Sequence, residues 1–376
     1  MMILKSQQAL LTLLLTILSL AILPQRLQAF PEMIRHGYNN CNTCHVSPAG
    51  GGILTAYGRE LSKEVLSTWG TEREHSPVYG LTELPKNLWL GGDIRGIQTY
   101  RDTPNVREGR WFLMQADLEA AWTTAAYTAV ASVGYDPGSP LTDEDNAWIS
   151  RRHYVQVPLN ETMSVRAGRF LRNYGLMIPD HSSQIRRGIG FDQGTETYNA
   201  EFNVITESYS LSFTGVGGRP DDEKVASEKG FVVNVSTFLQ PSYRAGFSYF
   251  LGRTDANVGR ELYGPYWALG LTEDLYWLGE VDWVRTAPRG SPIIEGWASY
   301  NRLGHQIVKG LDMYVLHQSR KNDRRKDTVD LQSYGAGAQW SPRPHWILST
   351  QWEKQKRPVI AKKTIDSAWF IVQYAI

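Results

Sequence analysis

From about Asn87 to the C-terminus, apolar and polar residues alternate with a period of two. Phe112, Met114, Ala116, Leu118, Ala120 and Trp122 fall on one face, and Gln115, Asp117 and Glu119 on the other. Tyr198, Ala200, Phe202 and Val204 oppose Thr197, Asn199, Glu201 and Asn203. Tyr209, Leu211, Phe213 and Gly215 oppose Ser208, Ser210, Ser212 and Thr214, and stretches 243–251, 275–283 and 346–352 repeat the pattern. Side chains along a strand point to opposite faces in turn, so each stretch predicts a strand with one apolar and one polar side. Sixteen such strands begin near residues 88, 110, 125, 147, 162, 196, 208, 230, 242, 260, 274, 292, 306, 329, 345 and 367. The alternation weakens around 257–270 and 305–318, where apolar residues occupy both parities.

A soluble β-sandwich also alternates. Three features select a transmembrane antiparallel β-barrel, with about sixteen strands, over residues 86–376. Aromatic residues recur at the ends of the apolar faces, as in Phe112 with Trp122 and Trp346 with Trp352, where a membrane barrel carries its interfacial girdles. Tight turns, expected at Thr123-Thr124, Glu207, Thr272-Glu273 and Gly304, alternate with long polar links at 136–146, 171–195, 217–229, 319–328 and 354–365. That rhythm fits short periplasmic turns and long external loops. The chain ends in a strand, with Phe370, Val372, Tyr374 and Ile376 on one face. An even strand number suits closure in bacterial barrels and puts both ends of the barrel segment on the periplasmic side.

The first 29 residues have a different pattern. Lys5 precedes an apolar run from Ala9 to Leu23, followed by Pro24, Arg26 and the small residue Ala29. This is the layout of a secretory signal cleaved after Ala29. The apolar run is too short to span about 30 Å of hydrocarbon. Loss of Lys5 and Arg26 turns the formal charge from +1 to about −1. A charge so near zero argues against a nucleic-acid partner. A mean hydropathy of −0.35 is too polar for a helical membrane bundle but is what alternating faces average to.

Two cysteines cannot make a disulfide-dense scaffold. They stand together in Cys41-Asn42-Thr43-Cys44-His45, the C-x-x-C-H attachment signature of a c-type haem. Thiols at this spacing reach the two vinyl groups on one haem edge, and the next residue offers an axial imidazole. A zinc site lacks a second cysteine pair, and a thioredoxin-like site lacks its βαβ setting. Cys41 and Cys44 are therefore the expected anchors of one covalent haem c, and His45 its iron ligand. His75 is the preferred sixth ligand, with His36 and Met33 as alternatives, Met114 remote, and a five-coordinate iron also open. Glycines 50–52 would let backbone pass close to the ring, and Leu54, Tyr57, Leu61, Val65 and Leu66 would cover an apolar face. Residues 30–85 form a short, mainly α-helical haem segment at the periplasmic mouth or in the lumen.

A signal, one C-x-x-C-H and then a porin-like barrel is an unusual order. It resembles the fused monohaem cytochrome–porins of the bacterial outer membrane, best known from iron oxidisers. The matching residues are Ala29-Phe30-Pro31, Arg35, the Cys41–His45 motif and Pro48; Val165–Phe170 with Tyr174-Gly175 looks like porin sequence. The resemblance implies electron transfer across the outer membrane, with the haem as relay and the barrel as sheath. It implies an extracellular donor or acceptor, Fe(II) among them, and a periplasmic carrier such as a soluble cytochrome or cupredoxin. Two other readings stand beside it: a diffusion or uptake porin with a haem-bearing plug, and a membrane-tethered haem sensor or enzyme. No hydrolase triad or P-loop appears.

The acidic stretches at 136–145 and 221–223 read as external loop tips able to collect cations. The run Arg320, Lys321, Arg324, Arg325 and Lys326 reads as an external basic patch suited to lipid phosphates. Asp117, Glu119, Arg166, Glu201, Arg244, Glu280 and Asp282 are expected to line the lumen and to meet an inserted haem segment.

Overall fold

The computed structural model describes residues 31–74, 76, 84–135, 148–220, 227–358 and 364–376. The signal, His75 and both acidic loop stretches lie outside the described residues. The strands are β1 (Leu88–Asp102), β2 (Arg107–Thr123), β3 (Thr128–Tyr135), β4 (Trp148–Ile149), β5 (His153–Pro158), β6 (Met163–Phe170), β7 (Thr197–Ile205), β8 (Tyr209–Gly218) and β9 (Glu228–Gln240). They continue as β10 (Tyr243–Thr254), β11 (Gly259–Gly270), β12 (Leu275–Ala287), β13 (Ile294–Val308), β14 (Leu311–Lys321), β15 (Leu331–Trp340), β16 (Trp346–Lys356) and β17 (Ile365–Ala375).

Each strand pairs antiparallel with its sequence neighbours, and β1 also pairs with β17, which closes the sheet into a barrel. The β4 and β5 segments both pair with β3 and form one strand interrupted at 150–152. Seventeen segments thus make sixteen staves. Closure leaves no unpaired edge, which a sheet in hydrocarbon cannot tolerate. At one end of the barrel every connection is short, two to five residues, and the long links all lie at the other end.

The face assignments hold with one shift. Leu118, Trp122, Phe213, Phe247, Leu251, Trp277, Trp283 and Trp352 are exposed on the outside. Gln115, Asp117, Glu119, Asn199, Glu201 and Asn203 are buried inside. A bulge at Met114 pairs Gly96 with Leu113 and Ile97 with Phe112, so Phe112 leaves the outer stripe.

Gly304 is not a turn residue. It lies within β13 opposite Tyr276, whose ring occupies the space a Cβ would fill. The turn is at Lys309-Gly310, where Gly310 has φ of 86°. Tyr266 over Gly246 and Tyr314 over Gly337 repeat the arrangement.

Two segments enter the lumen, one from each end. From the short-turn end comes a segment containing a 3-10 turn (Pro31–His36), a short helix α1 (Ala56–Leu61) and a wider turn (Ser62–Leu66). The Thr55 hydroxyl caps α1 by accepting from the Gly58 amide at 3.0 Å. From the long-loop end, the 171–196 link between β6 and β7 folds inward. Ile34 of the first insert packs with Leu176, Ile178 and Ile185 of the second and with Tyr266, Tyr276 and Leu278 of the wall. This explains the two stretches of mixed parity. Leu262, Tyr266, Ala268, Tyr314 and Leu316 face a dry interior, so those strands are apolar on both sides.

Candidate functional site

The Cys41–His45 motif forms a single helical turn. The amides of Cys44 and His45 both donate to the Cys41 carbonyl, at 3.3 and 3.0 Å. Cys44 and His45 follow Cys41 by three and four positions, the spacing that brings side chains toward one side of such a turn. Neither cysteine is in a disulfide.

The chain then doubles back. Val46 and Ile53, and Cys44 and Thr55, are joined by backbone hydrogen bonds of 3.0 and 2.8 Å. The reversal runs through Gly50, Gly51 and Gly52, with φ of 81°, 70° and 68°. Three consecutive left-handed residues are accessible to glycine and strained for anything larger. A Cβ on Gly50 would sit 3.2 Å from the Cys41 Sγ, and one on Gly52 would collide with Arg152 and Glu119 of the wall.

Cys41 and His45 line a cavity of about 290 Å³ in the lumen. Gly50–Gly52, Asp93, Arg95, Glu119, Arg152, Arg166, Met177 and Arg302 also border it. Cys44 and His45 line a second, smaller groove of about 70 Å³ with Met33, Leu54, Leu61 and Leu66. The apolar side of the expected amphipathic stretch thus does flank the motif.

Burial, first, and the nearby Arg152 charge lower the His45 pKa to about 4, partly offset by the Gly52 backbone. The ring is neutral at physiological pH, the form that binds metal. Its Nδ1 is buried without a hydrogen bond of good geometry.

The inner wall carries matched charges. Arg152 pairs with Glu119 at 2.6 Å, Arg151 with Asp117 at 3.2 Å and Arg166 with Glu201 at 2.7 Å. Arg166 also donates to Ser47 Oγ of the insert at 3.1 Å. The expectation that lumenal charges meet the insert holds at Arg166.

The residues present suit a c-type haem in their chemistry: two cysteines on one turn, each at a cavity, a buried imidazole that borders both cavities, and glycine backbone against a sulfur. The alternatives for the sixth ligand separate. Met33 lines the smaller groove. His36 lines neither the cavity nor the groove and lies near Asp274 in the β11–β12 turn. Met114 is at the β2 bulge. One donor escaped the sequence reading: Met177, on the inward loop, borders the cavity that Cys41 and His45 line. Nothing in its neighbourhood, Tyr174–Ile178, distinguishes it in one dimension.

No family model matches this chain, and no curated protein sequence matches it. Solved structures do. OmpT of Vibrio cholerae, as expressed in the outer membrane, is similar with a TM-score of 0.60 at 10% identity, over 78% of this chain and 99% of that one. An anion-selective porin from Comamonas acidovorans is similar with a TM-score of 0.59 at 10% identity, over 77% and 99%. Salmonella typhi OmpF in complex with daunomycin is similar with a TM-score of 0.60 at 11% identity, over 78% and 100%. The likeness is one of fold: a closed, sixteen-stranded, porin-like barrel.

Proposed function

We propose that the chain is an outer-membrane barrel whose periplasmic mouth is plugged by a monohaem cytochrome segment, and that it conducts electrons rather than solutes. The observation that carries this reading is the placement of Cys41 and His45 on a lumenal cavity, between two inserts that enter the barrel. Cys41 and Cys44 would hold the haem and His45 its iron, and such a group supplies one-electron relay chemistry. The chain's own part is to keep it at a fixed depth. The outward apolar face meets lipid, Arg35 and Arg166 tie the insert to the wall, and the buried imidazole stays unprotonated. A hydrocarbon layer of about 25–30 Å is too thick for a carrier outside the barrel to cross alone. The extracellular partner would be a donor such as Fe(II) and the periplasmic one a small cytochrome or cupredoxin.

A diffusion porin with a haem-bearing plug is the second reading, favoured by porin neighbours such as the anion-selective one. The two inserts that narrow the lumen oppose it. Reconstitution in vesicles decides between them. The first reading expects a c-type α band that an impermeant external reductant develops, electron transfer to an enclosed acceptor, and little ion conductance. A protein without covalent haem, or one with a porin-like solute conductance that Cys44→Ala leaves unchanged, overturns it.

A further inference from the structure

We infer that Met177 is the second axial ligand of a haem carried on Cys41, Cys44 and His45. This rests on the haem reading above and names its missing ligand. Met177 borders the cavity of about 290 Å³ that Cys41 and His45 line. It also borders a smaller one beside Cys41, Pro48 and Ala49. The motif enters from the short-turn end of the barrel and Met177 from the long-loop end, so the two converge on one space from opposite directions.

A ligand that must meet iron at a set position needs rigid support. Met177 has it on both sides. Its neighbours Leu176 and Ile178 are buried and pack with Ile34 of the haem-bearing insert. The Gly175 amide donates to Ser248 Oγ at 2.9 Å, and the Leu176 amide to Glu280 Oε2 at 2.5 Å. The Tyr174 hydroxyl donates to Asp282 Oδ1 at 2.8 Å, and its carbonyl accepts from Arg186 Nη1 at 2.9 Å. The backbone before Met177 is thus pinned to β10 and β12, while the thioether is left half-buried at the cavity.

The other donors are poorer. His181 borders the same cavity, but its Nδ1 is 2.8 Å from Asp192 and its Nε2 3.2 Å from an Arg95 guanidinium nitrogen. Met33 borders the groove of about 70 Å³ that Cys44 and His45 also line, and not the larger cavity. A thioether does not titrate, and methionine opposite histidine raises a haem potential, which suits a relay that accepts electrons from outside.

The test uses the full-length protein purified in detergent, with Met177→Leu and Met33→Leu. Both changes conserve volume, and heat-modifiable gel mobility verifies barrel folding in each. The expectation is a c-type α band in all three proteins. The weak long-wavelength charge-transfer band of ferric methionine-ligated haem should be present in the wild type and Met33→Leu, and lost in Met177→Leu. Met177→Leu should also show a lowered midpoint potential and newly bind carbon monoxide in the ferrous state. Retention of that band in Met177→Leu, or its loss in Met33→Leu alone, overturns the assignment and leaves the haem reading standing. A wild-type protein lacking any covalent haem overturns both.

Discussion

Arg35 and Asp312 form an ion pair at 2.9 Å across 277 residues of sequence, with both side chains buried. The pair joins the first insert to β14 inside the barrel. Removing one partner of a buried pair leaves an uncompensated charge and costs roughly 3–5 kcal/mol. Arg35→Met should therefore loosen the insert, seen as faster proteolysis of residues 31–74 and a rise in single-channel conductance. Arg35→Met with Asp312→Leu should recover most of the loss. Equal behaviour of the single and double variants would count against a docking role for the pair.

Acid should loosen the same insert. His36 is held neutral, its pKa lowered to about 4 by burial, first, and by the adjacent Arg35 charge, partly countered by Asp274. A histidine depressed on docking contributes stability that is complete above about 6.5. That contribution falls as pH drops toward 4, because the released form binds the proton more tightly. Proteolytic release of the insert should rise across this window and flatten in His36→Leu. A pH profile unchanged by that substitution would reject the assignment.

Gly50 should limit haem attachment. Alanine there must adopt a left-handed backbone, at about 1–2 kcal/mol, and crowds the Cys41 sulfur. Gly50→Ala is expected to lower covalent haem per chain, measured by intact mass, with no change in barrel mobility on gels. Cys41→Ser and Cys44→Ser should each lower it further.

Gly304 should tolerate no larger residue. A valine would displace the Tyr276 ring, whose hydroxyl accepts a hydrogen bond from Arg302 at 2.8 Å. Overpacking of this kind costs about 1–3 kcal/mol. Gly304→Val should lower the heat-modification temperature of the barrel. The truncated partner Tyr276→Ala should relieve part of the strain in the double variant. Wild-type thermal behaviour of Gly304→Val would refute the packing role.

Strand positions were legible because each stave reports its own two faces. Sixteen starts fall within about five residues of the observed ones, the largest offset being at β14. It fell where parity was mixed, since Tyr314 and Leu316 face other side chains rather than water. Gly304 misled because glycine marks a turn or a close approach equally well, and only the neighbouring strand shows which. The break at 150–152 is likewise invisible in one strand alone.

The haem attachment proposed for Cys41, Cys44 and His45 has a local signature, so five consecutive residues suffice to display it. Met177 is the opposite case. A lone methionine in a polar link carries no pattern, and the role proposed for it arises only when the loop after β6 turns inward to meet a segment from near the other end of the chain. Short-range alternation and a contiguous motif belong to the amino-acid sequence by itself, because both are set by neighbours along the backbone. The narrowed lumen, the buried Arg35–Asp312 pair and the shared cavity were decided by the tertiary structure, because closure of the barrel alone brings those distant residues into one small, water-poor volume.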